Sequence, residues 1–242
     1  MIELQQVTKS FNGQKVLDGL DGTVAAGECL VVMGPSGSGK SVLLRHIIGL
    51  LRPDSGKVLV EGKSVPDLSP EELRALRRDM GYLFQSGALI NWMNAHENVA
   101  LPLRETTDLG EDEIRSRVQR VLALVQLEQA AEKFPSELSG GMQKRVGLAR
   151  ALVTEPRIIL YDEPEAGLDP EMSANINRAI RQLKEELRMT SVVVTHSINC
   201  ALTVGDRLAV LEHGRFLVEG TPQEVLDSDM PRVQQFLGAK RD

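Results

Sequence analysis

The 242 residues carry 28 Lys+Arg against 34 Asp+Glu, a formal charge of −6, with 42% hydrophobic and 3% aromatic residues. Such a chain buries a sizeable core in one large domain, or a domain with an insert, which excludes disorder as its main state. The acidic balance and the scarcity of rings argue for no nucleic acid partner, because its binders are usually basic and stack bases on exposed aromatics. Two cysteines far apart in apolar runs, Cys29 and Cys200, give neither a disulfide framework nor a thiolate metal site.

No basic patch followed by an apolar stretch opens the sequence, and the long run without Asp, Glu, Lys or Arg at 80–96 is broken by Gln85, Ser86, Asn91 and Asn94. The expectation is a chain without leader or spanning helix, which stays in the cytoplasm and meets any membrane through a partner. Residues 2–7 and 15–24 alternate as strands, and 28–33 is a short apolar strand running into Gly34. A helix is expected from 40 to about 50. Ser69, Pro70 and Glu72 form a capping box with proline at the first helical position, predicting a helix to Arg78, and 80–84 reads as a buried strand. From 86 to about 154 the pattern turns helical, with Ile114, Val118, Val121, Leu122 and Val125 on one stripe. Strands at 158–161, 191–195 and 207–211 then alternate with helices at 171–187 and 198–204, and short helices follow from Thr221. Alternating strands and helices predict an α/β fold with a mostly parallel sheet covered on both faces.

Gly34-Pro35-Ser36-Gly37-Ser38-Gly39-Lys40-Ser41, followed by Val42, fills every position of the phosphate-loop pattern and lies between a predicted strand and a predicted helix. A chance match in a chain of this length has a probability of roughly one in a hundred. Glycines let backbone amides turn inward on phosphates, the helix start adds positive charge, Lys40 reaches the β and γ phosphates, and the Ser41 hydroxyl suits Mg²⁺. Asp162 and Glu163 close the apolar run 158–161, where open α/β sheets bind ligands. Asp162 is read as a Mg²⁺ residue and Glu163 as the group that orients or deprotonates water. Ser139-Gly140-Gly141-Met142 opens a helix with a capping serine and offers a second anion site.

With these motifs in this order, the chain resembles the nucleotide-binding subunits of ATP-binding cassette (ABC) transporters over nearly its whole length. The resemblance implies a P-loop NTPase core with an N-terminal antiparallel β subdomain (1–85 and 155–220), a helical insert (86–154) and a C-terminal helical tail (221–242). ATP and Mg²⁺ are the implied cofactors. Ser139 to Met142 then stand as the signature that contacts ATP of a partner chain, Leu168-Asp169 as the D-loop, and Gln85 as the glutamine that contacts Mg²⁺ or the attacking water. His196 matches the switch histidine at the γ-phosphate, although a lone histidine after a strand is more often structural. Phe11 is a candidate to stack on adenine, with Val16 beside it; a core role for Phe11 competes. Two chains are implied to meet head to tail as a homodimer, so that neither alone is an efficient ATPase.

Within the family, Gln85 to Leu89, Glu97 to Glu105, Pro135 to Met142 and Pro231 to Leu237 are similar to ATPases of MCE-type (Mla) phospholipid transporters. That similarity implies an integral-membrane permease (MlaE-like), an MCE ring protein (MlaD-like) and a small STAS-domain subunit (MlaB-like) as partners, at the cytoplasmic face of a bacterial inner membrane. An importer or exporter of amino acids or lipoproteins is the alternative. Glu165 departs from the family, which has a small or hydroxyl residue there, and is expected to turn aside; Asn91-Trp92-Met93-Asn94 also departs. Two readings stay open for Trp92 and its apolar neighbours: core of the helical insert, or a groove for a permease helix.

Overall fold

The computed structural model describes residues 1–238. The chain opens with β1 (Ile2–Phe11) and β2 (Gln14–Val24), then β3 (Cys29–Met33), α1 (Lys40–Ile47), β4 (Ser55–Val60), β5 (Lys63–Ser64), α2 (Pro70–Arg78) and β6 (Met80–Leu83). Three helices follow, α3 (Ala95–Thr106), α4 (Glu111–Leu124) and α5 (Gly140–Leu152). Then come β7 (Ile158–Asp162), α6 (Pro170–Leu187), β8 (Thr190–Thr195), α7 (Ile198–Val204), β9 (Arg207–Glu212), β10 (Arg215–Gly220), α8 (Pro222–Leu226) and α9 (Pro231–Gly238).

Antiparallel pairing gives a small sheet in the order β2-β1-β4-β5, and a second sheet runs β10-β9-β3-β8-β7-β6. In the second, β9, β3, β8, β7 and β6 are parallel and only β10 is antiparallel. The side-chain alternation of the parallel strands divides the core in two. Leu30, Val32, Ile158, Leu160, Val192 and Val194 face the small sheet and α1, packing on Ile2, Val7, Leu43 and Leu44. Val31, Met33, Ile159, Tyr161 and Val193 face the other way, into a cluster that holds Val99 and Leu103 of α3, Val118 and Leu122 of α4, and Val146 and Leu148 of α5. Burial on both faces explains why these strands read as continuous apolar runs.

Several expected bounds shift. β1 runs to Phe11 rather than residue 7 because Asn12-Gly13, with φ of 50° and 79°, closes a two-residue hairpin onto β2. β4, β5 and β10 were not expected at all. α1 stops at Ile47, short of 50, where Gly49 turns with φ 74° and Arg77 donates from Nε to Ile48 O at 2.9 Å and from Nη2 to Gly49 O at 2.9 Å. α2 matches its reading residue for residue, capping box included.

Candidate nucleotide-binding and catalytic site

Parallel strands end at one edge of a sheet, and there the chain leaves β3 at Gly34, β7 at Glu163 and β8 at His196. Residues 34–39 bridge β3 to α1. A Cβ on Gly34 would come within 2.2 Å of Leu211 O, and one on Gly39, at φ 103°, within 2.9 Å of Val16 O, so the loop lies against the sheet edge with no room for side chains at either position. Gly39 caps α1 without a side-chain hydrogen bond, and the first turn holds no acidic residue. The helix start therefore keeps amides available for an anion. Ser38 Oγ is buried with no hydrogen-bond partner, a further polar group that fits a phosphate at this loop.

Lys40 follows, buried at 6% exposure, donating from Nζ to Gly34 O at 2.9 Å and Pro35 O at 3.1 Å, with Glu163 Oε1 at 3.7 Å. Burial pulls its ammonium below the ordinary lysine value, against the opposing pull of the Glu163 carboxylate. Ser41 Oγ donates to Asp162 Oδ1 at 2.8 Å, and the Tyr82 hydroxyl donates to Asp162 Oδ2 at 3.1 Å. Among the described residues no group of three or more His, Cys, Asp and Glu could hold a metal by itself. Two hard oxygens beside a phosphate-binding loop nevertheless suit Mg²⁺, which keeps several water or phosphate oxygens in its shell.

Glu163 has φ 49°, a left-handed backbone that costs a non-glycine residue about 1–3 kcal/mol and clusters at functional sites. Its Oε2 lies 2.7 Å from His196 Nδ1 and accepts the His196 backbone amide at 3.3 Å. The peptide is pinned from two sides: Glu163 N donates to Val194 O at 2.9 Å, and Lys144 Nζ, from α5, donates to Glu163 O at 3.1 Å. Lys144 is 5% exposed, and sequence reasoning missed it because its role needs α5 folded against the β7 edge.

The structure thus brings Lys40, Ser41, Asp162, Glu163 and His196 together. Gln85 is exposed two residues beyond β6, and no hydrogen bond of the described residues joins it to Ser41 or Asp162. Val16, with Lys15, Ser36, Gly37, Ser38 and Arg232, lines a cavity of about 300 Å³ beside the loop. Phe11 is 42% exposed at a hairpin tip with the Lys9 ammonium 5.6 Å from its ring centroid, which removes the core role considered for it. Ser139 caps α5, accepting Met142 N at 3.3 Å, and Asp169 caps α6, accepting Met172 N at 2.8 Å. The two motifs adjoin: a Cβ on Gly140 would meet Leu168 Cδ2 at 3.9 Å, and one on Gly141 would meet Met172 Sδ at 2.7 Å. Glu165 does turn aside, its Oε2 accepting Asn177 Nδ2 at 2.7 Å.

The model of the ABC transporter family matches residues 17–166, which hold the phosphate loop, the capping Ser139 and the Asp162-Glu163 pair. The chain belongs to the ABC transporter family. It is 45% identical over 240 residues to mkl of Mycobacterium tuberculosis, named as a ribonucleotide transport ATP-binding protein, covering 99% of this chain and 67% of mkl. It is 40% identical over 242 residues to MlaF of Haemophilus influenzae, the ATP-binding protein of an intermembrane phospholipid transport system, covering 100% of this chain and 92% of MlaF. A dimeric structure of the ATP-binding cassette MJ0796 in a post-hydrolysis state with ADP and phosphate superimposes with a TM-score of 0.85 at 38% identity, covering 92% of this chain and 99% of that one. The chain is accordingly an ABC ATPase subunit, with ATP and Mg²⁺ as its cofactors.

Among the described residues no helix is long and apolar enough to cross a membrane. The two open readings of Trp92 are decided for exposure: its side chain is 79% exposed, not core. What holds that segment is Asn98, fully buried, whose Oδ1 accepts Ile90 N at 2.7 Å while Nδ2 donates to Ile90 O at 3.1 Å, Met93 O at 2.9 Å and Asn94 O at 3.0 Å.

Proposed function

We propose that this chain powers phospholipid transport by an MCE-type system, working as a homodimer at the cytoplasmic face of a bacterial inner membrane. The observation that carries the catalytic part is the Lys40–Glu163–His196 arrangement behind the phosphate loop. In it the amides at the start of α1 hold the phosphates, and Lys40 exchanges its carbonyl partners for phosphate oxygens. Ser41 and Asp162 would hold Mg²⁺, with Gln85 drawn in from its exposed position, and the ion would supply neutralisation of phosphate charge. Glu163 accepts the proton of the attacking water, and His196 fixes the direction of that carboxylate. Ser139 to Met142 of one chain and Leu168-Asp169 beside them complete the site of the other, a reading supported by the uncapped anion geometry of α1 and by the dimeric cassette that this fold matches.

The full-length likeness to MlaF supports the lipid cargo, and the exposed Trp92 segment is the surface offered to an MlaE-like permease. The likeness to mkl favours a second reading, ribonucleotide transport. Purifying the chain with its membrane partners from the native organism separates the two. An MCE-domain protein and bound phospholipid in the complex support the first reading, whereas their absence, with nucleotide uptake dependent on the chain, overturns it.

A further inference from the structure

We propose that Tyr82 is a positioning residue of the Mg²⁺ site, its phenol fixing the Asp162 carboxylate so that the other oxygen stays on Ser41. The inference rests on the nucleotide and Mg²⁺ reading above. Tyr82 sits on β6, next to β7 in the sheet and paired with Leu160, two residues before Asp162. Asp162 Oδ1 takes the Ser41 hydroxyl at 2.8 Å and Oδ2 takes the Tyr82 hydroxyl at 3.1 Å, donors supplied by different elements, α1 and β6. The terminal torsion of an aspartate is broad, so a carboxylate held at one oxygen swings at little cost; a second donor removes that freedom.

The phenol hydroxyl carries one proton to donate, and Asp162 Oδ2 is the acceptor it reaches. Its ring is itself set by Phe84, with centroids 4.3 Å apart and planes tilted by 34°. Phe84 immediately precedes Gln85, so one aromatic pair fixes both the Asp162 carboxylate and the root of the segment that carries Gln85. Partners that orient a metal's ligands commonly change metal affinity or activity by about 10–100-fold when removed.

Tyr82→Phe removes only the hydroxyl and keeps the ring against Phe84. Mn²⁺ is titrated into full-length protein preloaded with ATP in a Glu163→Gln background, and bound metal is read from loss of the free-ion spin-resonance signal. The dissociation constant for Mn²⁺ is expected to rise about ten-fold, while ATP affinity in EDTA and the thermal midpoint stay at the parental values. Unchanged Mn²⁺ affinity overturns the proposal, and so does an equal loss of ATP affinity in EDTA, which would make Tyr82 a packing residue. If the Tyr82-bearing parent itself takes up no Mn²⁺ beyond free ATP, it is the Mg²⁺ reading that fails.

Discussion

Replacing Lys144 by methionine tests whether the backbone of Glu163, and not its carboxylate alone, is part of the machinery. Lys144 donates from its buried ammonium to Glu163 O at 3.1 Å, an oxygen that also accepts Ala166 N at 3.1 Å. A hydrogen bond from a charged donor contributes about 1.5–3 kcal/mol. If about 1.4 kcal/mol of it keeps the φ 49° peptide in place as the water attacks, Lys144→Met lowers turnover about ten-fold. Ala166 N still serves the carbonyl, but the thermal midpoint should fall as well, because the buried Asp162 and Glu163 carboxylates then keep Lys40 and lose the second buried ammonium that offsets them. The pH dependence has a definite sign. Burial lowers the Lys144 pKa from its ordinary 10.5, opposed by the charges of Glu163, Glu165 and Asp162. Between the lowered value and 10.5 the unfolded chain holds more protons, so the Lys144 contribution to stability rises with pH across that window and Lys144→Met lacks the rise. ATPase kinetics, nucleotide titration and thermal melts across alkaline pH read all three effects. Parental turnover in Lys144→Met, or a loss of ATP affinity equal to the loss of rate, would refute the reasoning.

Glu163→Gln preserves shape and removes the base, so turnover should fall about 10²–10⁴-fold while ATP still binds; a closed dimer should accumulate on size exclusion, and a parental rate would exclude Glu163 as the base. Lys40→Ala removes a cation from the phosphate loop and should weaken ATP binding about 10–100-fold by titration, the equivalent of one charged hydrogen bond. Asn98→Ala strands Ile90 N and the Met93 carbonyl around a fully buried position, while the Ile90 carbonyl keeps Met93 N at 3.1 Å. At about 1–3 kcal/mol for each unsatisfied group, the thermal midpoint should drop by several degrees, with protease sensitivity rising first around Trp92.

The parallel strands were legible because burial on both faces writes them as unbroken apolar runs, as Leu30 to Met33 and Val192 to Val194 show. β10 was not, since it is a half-exposed edge strand whose Arg215 and Glu219 interrupt any alternation. Its hairpin turn, His213-Gly214 with φ of 48° and 76°, and the Glu61-Gly62 turn between β4 and β5, with 50° and 75°, use first residues that give no turn signal of their own. The phosphate loop and the acid pair were readable from spacing because each lies within one strand and its exit. Lys144, Tyr82 and Asn98 were not, because each acts on a residue of another segment. For Asn98 a cue existed: Asn94 and Glu97 spell a capping box that fixes the start of α3 and so the buried side on which Asn98 falls.

Charge bears on the proposed dimer, in which each chain supplies half of every site. Lys40, Lys144, Asp162 and Glu163 are 6%, 5%, 6% and 8% exposed, and ions so buried persist only when compensated. Two cations and two anions cancel, so these four buried groups are together formally neutral. A triphosphate upsets that balance by more than a single Mg²⁺ restores, and the amides of α1 face it, with Lys15 and Arg232 lining the cavity beside the loop. Two further helices at these motifs open without an acid in the first turn: α7, capped by Ser197 next to His196, and α5, capped by Ser139, whose Gly140 lies beside Leu168 of the same chain. In the proposed head-to-tail dimer the α5 start of a second copy would add to that compensation, and hydrolysis, which divides the charge, would lower the demand for it.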